Sequence, residues 1–239
     1  MRANEAMQVG TSNLIAFFDL DGTLIDSMST VRSLLAEGLD LKSADPSESE
    51  GSIKLPDEYL GPPEEIILTQ HADAAKAKWY IRQYRAYLAS QELNTSREFA
   101  NRVISVAKDL GFKIAIITNK SSLLAKESLE ALHLLGLCDA IVDGCCTEGP
   151  KPAPGGLLRT IQELGGSRNT SVLVGDTLTD GLTARAAGIP FVRAWWFVSE
   201  DVNQQPQLNT GTNDVFRHIF SISDLRESLK SIIELPRDG

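Results

Sequence analysis

The stretch Phe17-Phe18-Asp19-Leu20-Asp21-Gly22-Thr23-Leu24 constrains this chain most, because an apolar run ends there in two carboxylates two positions apart. Residues 14–18 (Leu-Ile-Ala-Phe-Phe) are short and continuously apolar, the pattern of a strand buried on both faces, and Asp21-Gly22-Thr23 breaks the run as a turn does. Asp19 and Asp21 therefore emerge together at the C-terminal end of a strand, where an open parallel sheet binds its ligands. Such a pair can hold a metal ion, or divide the roles of nucleophile and acid. By itself Asp-x-Asp-Gly is equally a turn sequence, since Asp and Gly favour turns.

Three later segments shift the balance toward chemistry. Lys113-Ile114-Ala115-Ile116-Ile117-Thr118-Asn119 is a second short apolar run, tipped by a hydroxyl and an amide ahead of a helix beginning near Ser121. Thr118 can donate to a phosphate oxygen and the following N–H groups add donors, although Thr-Asn at a strand end also serves as a plain helix cap. In Gly149-Pro150-Lys151-Pro152-Ala153-Pro154-Gly155, flanking prolines stiffen the chain around Lys151; alone, a loop lysine reads as a solvated charge. Val172-Leu173-Val174-Gly175-Asp176-Thr177-Leu178-Thr179-Asp180 is a strand pattern that runs into an acidic loop, with Asp176 and Asp180 placed to complete an oxygen-ligand site for a hard cation.

With these four segments in this order, the chain from about Leu14 to Arg193 resembles the haloacid dehalogenase superfamily of phosphohydrolases. Lys-Pro together with Gly-Asp-x-x-x-Asp is similar to the phosphoglycolate phosphatase and β-phosphoglucomutase branch. The resemblance implies a nucleophilic Asp19 that takes the phosphoryl group as an aspartyl-phosphate, and an Asp21 that serves as general acid and then base. It implies that Thr118 and Lys151 bind phosphoryl oxygens with Asn119 in support. Magnesium would be held by the Asp19 carboxylate, the Asp21 main-chain carbonyl and the Asp176 carboxylate, with Asp180 orienting the inner shell or a bound water. The charges agree with this scheme: a carboxylate approaches an anionic phosphomonoester only where a cation and a lysine offset the repulsion. A dehalogenase needs neither the second acid nor the metal. Within the same fold a phosphosugar mutase uses the same core residues, and a phospholigand-binding protein without turnover is the alternative of another class.

The strand patterns near 14–19, 113–118, 139–142, 171–175 and 190–194, with a final strand–helix unit near Ile219–Ile233, predict an α/β Rossmann-like parallel sheet flanked by helices. The expected core is residues 14–26 and 97–235, with 1–13 a flexible N-terminus. Between Asp26 and Ser96 no buried-strand pattern occurs, whereas Ser29–Leu39, Pro63–Gln70 and Asp73–Leu88 have helical spacing, separated by a polar loop at Lys42–Lys54. Trp79, Tyr80, Tyr84, Tyr87 and Leu88 fall largely on one stripe, either internal packing of the helices or a face over the site. An all-helical insert at 27–96 resembles the mobile cap of this branch, which closes over the substrate and selects the leaving group. Arg32, His71, Lys76, Lys78, Arg82 and Arg85 are its candidate substrate-reading cations.

The balance of 23 Lys+Arg against 32 Asp+Glu gives a formal charge of −9, with no basic tract, which disfavours nucleic acid. No apolar run approaches the roughly 20 residues of a membrane span, and residues 1–12 lack the apolar centre of a signal peptide, so a cytoplasmic enzyme is expected. The partner expected is a small phosphorylated metabolite, and the protein a monomer or homodimer. Cys138, Cys145 and Cys146 read as reduced thiols, and neither they nor His71 and His133 have zinc-site spacing. Trp195-Trp196-Phe197 is expected to cover the sheet edge, or alternatively to form an interface or the rim of the site, ahead of a polar stretch at 199–214 and a fraying tail at 234–239.

Overall fold

The computed structural model describes residues 13–41, 63–197 and 215–234. Six strands, β1 (Asn13–Phe18), β2 (Lys113–Ile117), β3 (Ala140–Val142), β4 (Gly166–Gly175), β5 (Phe191–Ala194) and β6 (Val215–Ile219), form one sheet in the order β3-β2-β1-β4-β5-β6. Every pairing is parallel. The helices are α1 (Met28–Gly38), α2 (Glu64–His71), α3 (Ala74–Leu88), α4 (Leu93–Asp109), α5 (Ser122–Ala131), α6 (Gly155–Glu163), α7 (Leu178–Ala187) and α8 (Ile222–Ile233).

The central strand shows why its sequence is apolar throughout. Ala16 and Phe18 join the cluster that includes Val103 and Ile104 of α4 and Leu225 and Leu229 of α8. Ile15 and Phe17 point the other way, into the cluster with Leu157 and Ile161 of α6 and Ala184 and Ala187 of α7. All four are wholly buried. A strand covered by helices on both faces has no polar side to show, and its carboxylates are left to the tip.

The α/β sheet and its flanking helices match the expectation from sequence. The strand at 171–175 is longer than its apolar pattern, since β4 begins at Gly166. The added residues Ser167, Arg168 and Asn169 carry no strand-like alternation; they are held by the pairing of Gly166 with Asn13 and by the Thr170 hydroxyl, which donates to the Asn13 carbonyl (2.9 Å). Asn13 itself corrects the assignment of 1–13 to a flexible end. It lies in β1, donating from its main chain to Gly165 and from its side chain to Leu164. The expected loop at 42–54 and polar stretch at 199–214 lie outside the described residues, as do residues 1–12 and 235–239 of the two ends.

Between β1 and β2 the described residues are helical, as read from the sequence. The Asp73 carboxylate caps α3 by accepting from the N–H groups of Ala75 and Lys76 (2.7 and 2.8 Å). Tyr80, Tyr84 and Leu88 on the buried stripe of α3 share one cluster with Val31 and Leu35 of α1, Ile67 and Leu68 of α2, and the sheet. The apolar packing of these helices therefore runs on into the core. The Asp26 N–H donates to the Ser96 hydroxyl (3.1 Å) and the Tyr87 hydroxyl donates to the Asp26 carbonyl (3.0 Å).

Candidate active site

The tips of β1, β2 and β4 and the loop after β3 bring Asp19, Asp21, Thr118, Asn119, Lys151, Asp176 and Asp180 to one end of the sheet. Lys151 is at the centre. Its buried ammonium donates to Asp19 Oδ1 (2.6 Å) and Asp180 Oδ1 (2.5 Å), joining residues far apart in sequence. The main chain of Lys151 is fixed by Asn119, whose Oδ1 accepts from the Lys151 N–H (2.8 Å) and whose Nδ2 donates to the Lys151 carbonyl (3.1 Å). Both ends of the Asn119 amide are thus engaged with the lysine that it orients. Thr118 is buried beside it, its hydroxyl accepting from the Lys120 N–H (3.2 Å).

Asp19, Asp176 and Asp180 each present a carboxylate oxygen within 4.8 Å of the others. Asp180 is locked by α7, where its Oδ2 accepts from the Thr177 N–H (3.0 Å) and hydroxyl, while the Thr177 hydroxyl accepts from the Asp180 N–H (3.2 Å). This reciprocal capping box fixes the first turn of the helix. Asp176 accepts from the Thr23 hydroxyl at Oδ1 (3.2 Å). Gly22, between the β1 aspartates and Thr23, has φ +78°, and a Cβ there would stand 2.3 Å from Asp176 Oδ2. Only glycine allows the two strand tips to approach this closely.

The electrostatics of the cluster favour a cation. Burial raises Asp19 well above the usual carboxylate range; Lys151 opposes the shift, and the charges of Asp180 and Asp176 add to it. Asp176 is pushed up to about 7, first by burial and then by Asp180, against Lys151 and Thr23. For Lys151 burial works against the charge, but Asp180 and Asp19 outweigh it and hold the ammonium protonated. Three crowded carboxylates with a single lysine, all hard oxygen donors, fit a hard divalent ion such as magnesium.

The Asp21 carboxylate faces a different set of groups. Its Oδ1 accepts from the Ser27 hydroxyl (2.5 Å) and the Tyr84 hydroxyl (3.3 Å), and its Oδ2 lies 3.1 Å from the Lys120 ammonium. Lys120 is 1 % exposed, 3.9 Å from Glu64, and 4.0 Å from the centre of the Tyr84 ring. Burial disfavours its charge, yet Asp21 and Glu64 keep its pKa well above the ordinary lysine value. The aromatic stripe thus serves both of its readings, since Tyr84 is buried packing and also touches Asp21.

Ser27, Thr23, Lys120 and Thr177 were not singled out by sequence reasoning. Lys120 directly follows Thr118-Asn119 and was visible as a charge at a strand tip, but no spacing rule announces its burial under α3. Among the insert cations, Lys76 pairs with Asp40 (3.1 Å) and Arg85 with Glu127 of α5 (2.6 Å), while Arg32 is exposed. Lys78, Arg82 and Arg85 line a surface groove of about 310 Å³ with Ile81 and Leu123. His71 and His133 are exposed, and the three cysteines are free thiols. The Trp196 indole donates to the Thr23 carbonyl (2.8 Å) and meets Phe99 edge-on, so Trp196 braces the loop that carries Thr23.

Residues 16–194 match the family described as haloacid dehalogenase-like hydrolase. The chain is 31% identical to a phosphoglycolate phosphatase of Xanthomonas campestris pv. campestris, covering 75% of this chain and 81% of that one. With a phosphoglycolate phosphatase of Aquifex aeolicus the identity is 28%, over 76% of this chain and 84% of the other. Among solved structures, CbbY from Rhodobacter sphaeroides, crystallised with phosphate, superposes with a TM-score of 0.60 at 17% identity, covering 91% of this chain and 99% of that one. A HAD-superfamily hydrolase of subfamily IA from Geobacter sulfurreducens gives 0.57, also at 17% identity, over 92% and 98%. The two structures share the fold.

Proposed function

Because the chain belongs to the haloacid dehalogenase-like hydrolase family, we propose that it is a magnesium-dependent phosphatase that hydrolyses a small phosphomonoester, of phosphoglycolate or sugar-phosphate type, through an aspartyl-phosphate at Asp19. The observation that carries the reading is the Lys151 ammonium bound at once to Asp19 and Asp180, with Asp176 completing the carboxylate cluster. Asp19, Asp176 and the Asp21 carbonyl, with Asp180 in support, would hold magnesium, which would supply positive charge that offsets the repulsion between the carboxylates and the phosphoryl group.

In the first step an Asp19 carboxylate oxygen attacks phosphorus, the ester P–O bond breaks, and the leaving oxygen takes a proton from Asp21. In the second, water attacks the aspartyl-phosphate, its proton passes to the Asp21 carboxylate, and the P–O bond to Asp19 breaks to release inorganic phosphate. Lys151 and Thr118 stabilise the equatorial oxygens as the charge spreads, a contribution of the oxyanion-hole kind. Ser27, Tyr84 and Lys120 hold Asp21 between the sheet and α3, so the helices contribute to the placing of the acid.

In this reading residues 27–96 form a cap on a core made of 14–26 and 97–235. The hydrogen bonds of Asp26 to Ser96 and Tyr87 join cap to core where the chain crosses. No described helix is long and apolar enough to cross a membrane. The proposal places the enzyme in the cytoplasm, monomeric or homodimeric, working on a dissolved metabolite.

The test is phosphate release from a panel of phosphorylated metabolites with and without magnesium, using Asp19→Asn as the matched control. Metal-dependent release from one compound, absent in the folded variant, is expected. Release that persists in Asp19→Asn would remove the assigned nucleophile.

A further inference from the structure

Resting on the metal-dependent reading above, we propose that Arg193 is a positioning residue for the acidic cluster: it fixes the Asp176 main chain and so holds the Asp176 carboxylate toward Asp19 for cation binding. Arg193 lies on β5 in register with Gly175, beside the end of the strand that carries Asp176. Its Nε donates to the Asp176 carbonyl (3.1 Å). The guanidinium carbon sits 4.0 Å from the centre of the Trp195 ring, and the Trp195 indole is anchored in turn by donating to His218 Nδ1 on β6 (2.8 Å). Three strand ends are thus tied to one main-chain carbonyl.

The residue type is unexpected for its place. Arg193 is 3% exposed, whereas Phe191, Val192 and Ala194, the other residues of the strand, are buried and apolar. Among the described residues no carboxylate lies within the 4.0 Å of an ion pair with Arg193. A buried guanidinium without an ion pair is costly, and an apolar residue fills a strand end without that cost. What arginine adds is a planar donor whose direction is set by the stack on Trp195. The Asp176 carboxylate is gripped independently by the Thr23 hydroxyl, and the Thr23 main chain is held by Trp196. Asp176 is therefore held from two sides, by side chains and by the consecutive tryptophans behind them.

The sign of the effect separates positioning from simple electrostatics. A positive charge behind the carboxylates repels a cation, so loss of the charge alone would tighten metal binding, whereas loss of the positioning contact weakens it. The experiment is equilibrium binding of Mn²⁺ to the full chain, read by the electron paramagnetic resonance of the free ion, for wild type, Arg193→Met, Arg193→Lys, Trp195→Leu and Asp176→Asn. Circular dichroism and thermal melting check the fold. We expect Arg193→Met and Arg193→Lys each to weaken Mn²⁺ about tenfold, the low end for a residue that orients a metal ligand, and Trp195→Leu to weaken it less. Unchanged or tighter binding in Arg193→Met, or wild-type affinity in Arg193→Lys, overturns the proposal. If Arg193→Met does not fold, unchanged affinity in Trp195→Leu overturns it instead. No Mn²⁺ binding by wild type, or unaltered binding by Asp176→Asn, would overturn the metal reading itself and this inference with it.

Discussion

Withdrawing divalent cations across a range of pH exposes the strain that like charge puts on the candidate site. In the fold the Asp176 carboxyl is pushed up to about 7 by burial and by Asp180, whereas an Asp in the unfolded chain titrates near 3.9. Between about pH 4 and pH 7 the folded protein therefore keeps a proton that the unfolded chain has released. Unfolding releases protons in this window, so stability falls as pH rises through it. A shift of about three units corresponds to a ceiling of about 4 kcal/mol. Partial solvent access at Asp176, and sharing of protons with Asp19, reduce the expected loss to about 2 kcal/mol. For a chain of this length that is roughly 4–8 °C in Tm. The upward shift of Asp19 acts in the same direction. The assay is thermal melting in EDTA from pH 5.5 to 7.5, with Asp176→Asn in parallel and magnesium added back. Wild type should lose Tm with rising pH, the variant should lose less, and magnesium should restore most where the loss is largest, as a ligand of the folded state does. A wild-type Tm in EDTA that is flat or rises with pH, or an equal slope in Asp176→Asn, would refute the reasoning.

Other perturbations reach other parts of the site. Lys151→Ala removes the cation that touches both Asp19 and Asp180; steady-state kinetics should show kcat/KM down by about 10²–10³, the scale of losing an electrostatic stabiliser, and an unchanged value would reduce the lysine to a structural charge. Lys120→Met leaves Asp21 and Glu64 without their shared cation, so denaturant unfolding should report a loss of about 3 kcal/mol, as for a broken buried pair, together with a lower kcat. Tyr84→Phe deletes a single contact to Asp21, long at 3.3 Å, and should lower kcat by less than about tenfold, the worth of one ordinary hydrogen bond. His218, lowered from its ordinary value by burial and by Arg193, accepts from Trp195 only while its Nδ1 is unprotonated. Its stabilising share is present above about pH 6.5 and lost as pH falls through the lower folded value, so His218→Asn should flatten the acid limb of the Tm profile.

The parts of the molecule that were readable from sequence share one physical property: they are set by local pattern. Ile15, Ala16, Phe17 and Phe18 are apolar because helices cover both faces of β1, and a strand buried on both faces leaves an unbroken run that can be recognised without any partner strand. Asp19, Thr118 and Asp176 each follow such a run, and Lys151 is marked by its flanking prolines, so the strand tips that unite the first three are implied once the runs are read as parallel strands. The first half of β4 failed this test: Ser167, Arg168 and Asn169 are in a strand because Asn13 and Thr170 hold them there, a tertiary cause that leaves no periodic trace. Lys120 and Arg193 failed it for a stronger reason. Sequence rules treat a lone basic residue as solvated, because burying one is costly, and the rule is right for Arg32 and Lys78, which are exposed. Its failures fall beside acidic residues: Lys120 on the side chain of Asp21, Lys151 on those of Asp19 and Asp180, and Arg193 on the main-chain carbonyl of Asp176. A dense group of acids at strand tips makes a buried cation affordable nearby, so in a chain of net charge −9 the informative lysines and arginines are those within a strand or in the loops that follow strand ends. Arg193 lies within β5, Lys120 three residues beyond the end of β2 and Lys151 in the loop after β3, and each touches an acidic residue of the candidate site.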